Sequence, residues 1–160
     1  MAPDPAAFRL AMSHFASGVT IVTTGSAGRY HGMTVSSFAS LSLEPMLVLV
    51  CIDKTSHTYP VLQKTGGFGV NILAESQEEL SRLFADSDLQ ERHSLAGVSY
   101  RLGSTGLPLL DGCLAGIECH VVAEHDGGDH AIIVGEAKNI KIDPSQQPLI
   151  YFRRAYRKID

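Results

Sequence analysis

The sequence has no apolar run near the roughly 20 residues that a bilayer-crossing helix needs. Its opening, MAPDPAAFRLAMSHF, lacks a basic region followed by an apolar stretch, so no secretory signal is expected. Cysteine is scarce. Three residues, an odd number with no CxxC pair, give no disulfide framework, and a reducing cytoplasmic setting is expected. Positive charge is not in excess: the formal net charge of −4 argues against a general nucleic-acid binder. The dinucleotide fingerprint GxGxxG is missing, so any nucleotide must be held by another device. The GxSxG elbow is missing too, which leaves a serine hydrolase unsupported. There is no internal repeat, low-complexity segment or linker. At 160 residues, 44% hydrophobic and 19% charged, the chain suits one ordinary globular domain with one core.

What is present reads mainly as strands. Asp4-Pro5 is a helix start, and Phe8, Met12 and Phe15 share one face, which predicts a helix over Pro5 to Ala16. GVTIVTT (18–24) and residues 29–35 predict a hairpin around the turn GSAG. GMTVSSFASLSLEP (32–45) reads as a continuation of that second strand, with the hydroxyls of Thr34, Ser36, Ser37, Ser40 and Ser42 set among apolar residues. MLVLVCID (46–53) is apolar on both parities, which predicts a strand covered on both faces. A short helix follows over 58–64, then a strand FGVNIL (68–73) and a helix over 75–85. Residues 87–108 read as loop with room for one short strand. Two long strands, 113–125 and 130–140, flank the hairpin signal DGGD, and a short strand at 149–152 precedes the basic tail RRAYRK. Strands this closely spaced, with flanking helices, predict an antiparallel, Greek-key-like barrel rather than a βαβ sheet.

Four groups of residues are candidates for chemistry. Lys54, Thr55 and Ser56 follow an apolar strand and precede a helix. Loose amides there, with a lysine and hydroxyls, suit a phosphate; a plain helix N-cap explains the same residues. EHDGGDH (124–130) gathers two histidines and three acids, but its glycines make it a hairpin tip, and no further ligands are spaced to complete a metal site. His130, just after the turn, is alternatively a hydrogen-bond donor to a ligand. The cysteines read as packing. The tail YFRRAYRKI sets aromatics among arginines, either to clamp an aromatic anion or to anchor the terminus.

These segments together resemble one family. FRLAMSHFASGVTIVTT, HGMTVSSFASLSLEPMLVLVCIDKTSHT, FGVNIL, LSRLFA, PLLDGCLAGIECHV and GDHAIIVGEAKNI, in this order, are similar to the short-chain flavin reductases, the reductase partners of two-component flavin-dependent monooxygenases. The resemblance implies an FMN-binding split β-barrel, a homodimer, and flavin near the subunit interface. It implies flavin contacts at Thr34, Val35, Ser36 and Ser37 and at Cys51, Ile52, Asp53, Lys54, Thr55 and Ser56, with the phosphate end near Lys54 to Ser56. Arg82, Phe84 and Ala85 are implied on the phosphate side, His130 beside the nicotinamide, and Tyr151, Phe152 and Tyr156 on the nicotinamide-nucleotide side. FMN, or alternatively FAD, would be reduced by NADH or NADPH and passed to an oxygenase; a split barrel that only holds flavin is the competing reading. The chain departs from the family pattern at Arg154, where many relatives carry glycine, and at Pro45-Met46, where a double proline is common.

Overall fold

The computed structural model describes residues 2–86, 88 and 94–160. Helix α1 (Pro5–Ser13) starts as the sequence predicts, with Asp4 accepting a bond from the Ala6 amide at 3.1 Å. It stops three residues earlier than expected. The Ser13 hydroxyl donates back to the Leu10 carbonyl at 2.6 Å, and the chain turns into the two-residue strand β1 (Ser17–Gly18). Strands β2 (Thr20–Ser26), β3 (Arg29–Val35), β4 (Phe38–Leu43) and β5 (Met46–Asp53) come next. Helix α2 (Thr58–Thr65), strand β6 (Gly67–Ile72), a 3₁₀ turn and helix α3 (Glu78–Ala85) follow. The rest is β: β7 (Tyr100–Leu102), β8 (Pro108–Leu110), β9 (Ala115–Gly127), β10 (His130–Ile142), β11 (Ile150–Phe152) and β12 (Ala155–Arg157). The region expected to be loop holds the β7–β8 hairpin; its positions 87 and 89–93 lie outside the described residues. The tail forms a second unforeseen hairpin, β11–β12, which extends β1 into a three-stranded sheet.

Seven strands make one antiparallel sheet in the order β3-β2-β6-β9-β10-β5-β4. Its two edge strands, β3 and β4, are consecutive in the chain, so the sheet curls until its edges meet at the two-residue break, with no ladder between them. The result is a split barrel. The long reach from 32 to 45 is therefore two strands, not one. At the break the Phe38 amide donates to the Ser36 carbonyl at 3.0 Å, while the Cys51 amide donates to the Ser37 carbonyl at 3.0 Å, which transfers the chain to the far edge.

The inner face buries Val22, Val50, Ile52, Phe68, Val70 and Ile133, closed by Leu62 of α2. Gly135 makes room for Phe68: a Cβ there would lie 2.5 Å from the Phe68 Cζ. A second cluster on the outer side joins Ile21, Leu73, Phe84, Leu95 and Leu149 under α3. One expectation fails instructively. On β5 only Val48, Val50 and Ile52 are buried; Leu47, Leu49 and Cys51, on the other face, are half-exposed. Helix α1 likewise has no buried residue, and its apolar stripe is open: Phe8 is 61% exposed, and Phe15, just past the helix, 75%.

Candidate functional site

The open faces of α1 and β5 look into one cleft of about 710 Å³. Met12 of α1, Phe15 just beyond it, and Leu49 and Cys51 of β5 make its apolar walls; Phe38 adds a ring, and Ser36 and Ser37 line it at the β3–β4 break. Ser37 is fixed by the same exchange that splits the strands, its hydroxyl donating to the Cys51 carbonyl at 3.2 Å. Tyr151 and Arg154 enter from the β11–β12 hairpin. The cleft size lies within the range for a cofactor-sized ligand.

Tyr151 and Arg154 also line a second cavity of about 400 Å³, together with Arg82, Ala85, Asp86 and Tyr156. A chain of contacts builds it. Thr34 on β3 donates its hydroxyl to the Ser81 carbonyl of α3 at 2.7 Å, and the Ser81 and Tyr156 hydroxyls lie 2.7 Å apart. The Arg82 guanidinium lies over the Tyr156 ring at 4.8 Å, and Tyr151 meets Tyr156 edge-on at 5.3 Å. Arg82 forks onto Glu78 one turn back, and that hydrogen bond holds its pKa above the ordinary value. Phe84 points the other way, into the outer cluster, where the bare Cα of Gly32 receives it; a Cβ on Gly32 would sit 2.8 Å from its ring. Phe84 thus sets the height of α3 on the sheet. Val35 and Ile52 are core residues, so only their backbones can serve a ligand.

The third group lies at the hairpin tip. In the β5–β10 register Cys51 faces Ile132 and Asp53 faces His130, so all four project from the cleft side of the sheet. His130 is 41% exposed, and its Nδ1 is held 2.7 Å from the Asp129 carboxylate. The residues expected at the phosphate end are occupied within the chain. Lys54 pairs with Asp126 and donates to the Gly128 carbonyl at 2.7 Å. The amides of Lys54, Thr55 and Ser56 donate to the Asp129 carbonyl, the Asp53 carboxylate and the Asp53 carbonyl at 3.0, 2.8 and 3.1 Å. The Thr55 hydroxyl also donates to Asp53; with the Thr55 amide it holds the Asp53 carboxyl below its ordinary pKa, against burial and helped by the nearby His130. Ser56 accepts from the Tyr59 amide at 3.2 Å, a helix-start contact. Phe152 packs between the Arg153 guanidinium, 5.1 Å from its centroid, and the His14 ring.

Among the described residues no group of His, Cys, Asp or Glu is placed to hold a metal ion. Glu124 of the hairpin instead accepts from the Tyr59 hydroxyl. Burial pushes the Cys113 thiol up to about 11 and the Cys119 thiol to about 12, so both are weak nucleophiles. Among the described residues no helix is long and apolar enough to cross a membrane. Sequence reasoning missed this wall: the stripe of Phe8, Met12 and Phe15 reads as a core face, and only the fold shows that it is exposed and that Met12 and Phe15 border a cleft.

The class the fold defines is an antiparallel split barrel, with an apolar, hydroxyl-edged cleft beside a cavity that two arginines and Asp86 line. The family comparison agrees. The flavin reductase like domain matches residues 12–160, and the chain belongs to that family. It is similar to the flavin-dependent monooxygenase reductase subunit HsaB of Rhodococcus jostii (strain RHA1), 38% identical over 157 residues, covering 98% of this chain and 79% of the relative. It is equally similar to an NADH-dependent flavin reductase of a Rhodococcus species, 38% identical over 159 residues, covering 98% and 87%. The solved structure of the flavin reductase PheA2 in its native state superposes with a TM-score of 0.90 at 39% identity, covering 99% of each chain.

Proposed function

We propose that the chain is an NAD(P)H:flavin oxidoreductase that reduces FMN or FAD and supplies reduced flavin to a partner monooxygenase. The observation that carries this reading is the cleft: apolar walls for a flat ring, hydroxyls and strand-break backbone along one edge, and arginines at the nucleotide end. When bound, a flavin would supply the redox chemistry as the hydride acceptor. The protein's part is to bind, orient and exclude water. Met12, Phe15, Leu49 and Cys51 exclude water from the ring faces; Ser36 and Ser37 offer polar atoms to its edge; Arg82 attracts phosphate. The relative named as NADH-dependent supports NADH as the donor, and the relative named as a monooxygenase subunit supports an oxygenase as recipient.

His130 orients the nicotinamide in this reading. Its Nδ1 is tethered to Asp129, which leaves Nε2 for the ligand, and it shares the cleft-side face with Cys51. His130→Ala is expected to raise the KM for NADH about three- to tenfold, the loss of about one hydrogen bond, with little change in kcat. An unchanged KM removes His130 from the site.

A homodimer belongs to the same proposal. The open apolar stripe of α1 and the half-exposed Leu47 and Leu49 are surfaces that a second copy would cover. Sedimentation should give twice the 17.2 kDa chain mass.

The function itself is tested by absorbance at 340 nm with purified protein, NADH and added flavin. Steady loss of NADH that depends on flavin is the expected result. Flavin bound without turnover would make the protein a flavin carrier instead.

A further inference from the structure

The tail hairpin turns on Arg153 and Arg154, both in the left-handed region at φ 51 and 60, between the paired residues Phe152 and Ala155. A two-residue turn of this kind is filled at lower cost by asparagine and glycine. Arg153 has structural work: its amide donates to the Ser13 carbonyl at 2.8 Å and its guanidinium covers Phe152. Arg154 has none. Among the described residues it makes no ion pair and no side-chain hydrogen bond, although it borders both cavities. Among the described residues, only Arg9 and Arg154 bring charge to the large cleft, and no acid lines it. Across the partition stands Arg82. An outlying backbone conformation that presents an unpaired cation at the junction of two cavities is a functional signal.

We propose that Arg154 is a specificity-determining residue that takes the diphosphate of a dinucleotide lying across the two cavities, with one ring system in the large cleft and the other beyond Arg82. This rests on the flavin-reductase reading. Two dinucleotides carry that chemistry, FAD and the nicotinamide donor. A diphosphate between Arg154 and Arg82 gains charge-assisted bonds at both guanidinium groups, which a mononucleotide or riboflavin cannot match.

The test titrates flavin-free wild type, Arg154→Gln and Arg154→Gly with riboflavin, FMN and FAD by flavin fluorescence, and measures the KM for NADH with riboflavin as acceptor. One dinucleotide is expected to weaken by roughly ten- to a hundredfold in both variants, the loss of a hydrogen bond to a charged group, while riboflavin changes less than about twofold. Loss confined to FAD assigns the diphosphate to the flavin; loss confined to NADH assigns it to the donor. The glycine variant is also expected to melt about 2–4 °C higher as the turn relaxes, so that affinity falls while stability rises, which a merely structural arginine would not produce. Unchanged affinities for both dinucleotides, a parallel loss of riboflavin, or an equal loss of FMN and FAD would each overturn the proposal. Wild type that binds none of the three flavins would instead sink the flavin-reductase reading.

Discussion

Glu118→Ala is expected to destabilise the protein by roughly 3–5 kcal/mol, lowering the melting temperature by about 6–20 °C. Glu118 sits on β9 with no exposed surface, yet it is a carboxylate. Five donors close on it. The Thr105 amide and hydroxyl reach Oε1 at 2.8 and 2.5 Å; the Ser104 amide and hydroxyl reach Oε2 at 3.1 and 3.2 Å; Asn139 from β10 reaches Oε2 at 2.6 Å. The β7–β8 loop is seated on this side chain so closely that a Cβ on Gly103 would lie 2.2 Å from its carboxyl carbon. Truncation leaves two backbone amides and an Asn amide without their acceptor and opens a cavity. Thermal melts at neutral pH check this, and a loss under about 1 kcal/mol would mean that water replaces the carboxylate freely.

The same site makes stability acid-sensitive. Burial pushes the Glu118 pKa up, but the bonds from Thr105, Asn139 and Ser104 together outweigh it and hold the value below the ordinary 4.5. The folded pKa is thus lower than the unfolded one. The contribution is fully present above about pH 4.5 and is lost as pH falls through the folded value. Glu118→Gln keeps the volume but not the charge. Its deficit relative to wild type should be full at pH 7 and shrink in acid; a constant deficit would contradict the linkage.

Much of the fold is legible in the sequence because local signals and tertiary needs agree. The β9–β10 hairpin follows from DGGD, and Gly128 takes the left-handed φ that the turn requires. The misses share one cause: a boundary or a face set by distant residues. Nothing local in TVSSFAS breaks a strand. The break exists because Cys51 captures Ser37, and only the folded register supplies that partner. The apolar stripe of α1 and the second apolar parity of β5 look like core, since hydrophobic period does not say what covers it. The β11–β12 hairpin hides because Arg153-Arg154 is the opposite of a turn signal. The site follows the same division. Ser36, Ser37, Cys51 and Tyr151 are gathered in the cleft, and Arg82, Ala85, Tyr151 and Tyr156 around the second cavity, a placement that needs the fold and not the local sequence. Lys54 and Ser56 turn out to be tied into the hairpin tip and the start of α2, contacts that their chemistry alone leaves open.

Cys51→Trp is expected to weaken flavin binding at least about a hundredfold and to abolish flavin-dependent NADH oxidation, because an indole would fill the space the ring needs. The fold should survive. Cys51 projects from the outer, half-exposed face of β5, away from Val50 and Ile52, and an aromatic residue suits a strand. Its structural duty is carried by backbone: its amide and carbonyl exchange bonds with Ser37, and these do not depend on the side chain. Melting should therefore stay within about 3 °C of wild type, within the usual range for surface changes. Cys51→Ala separates bulk from thiol chemistry, since it should retain flavin affinity within about threefold if the thiol only packs. Flavin titration followed by fluorescence decides between them. Wild-type affinity in the Cys51→Trp protein would move the ring out of the large cleft. Loss in both variants would instead give the thiol itself a direct contact with the flavin.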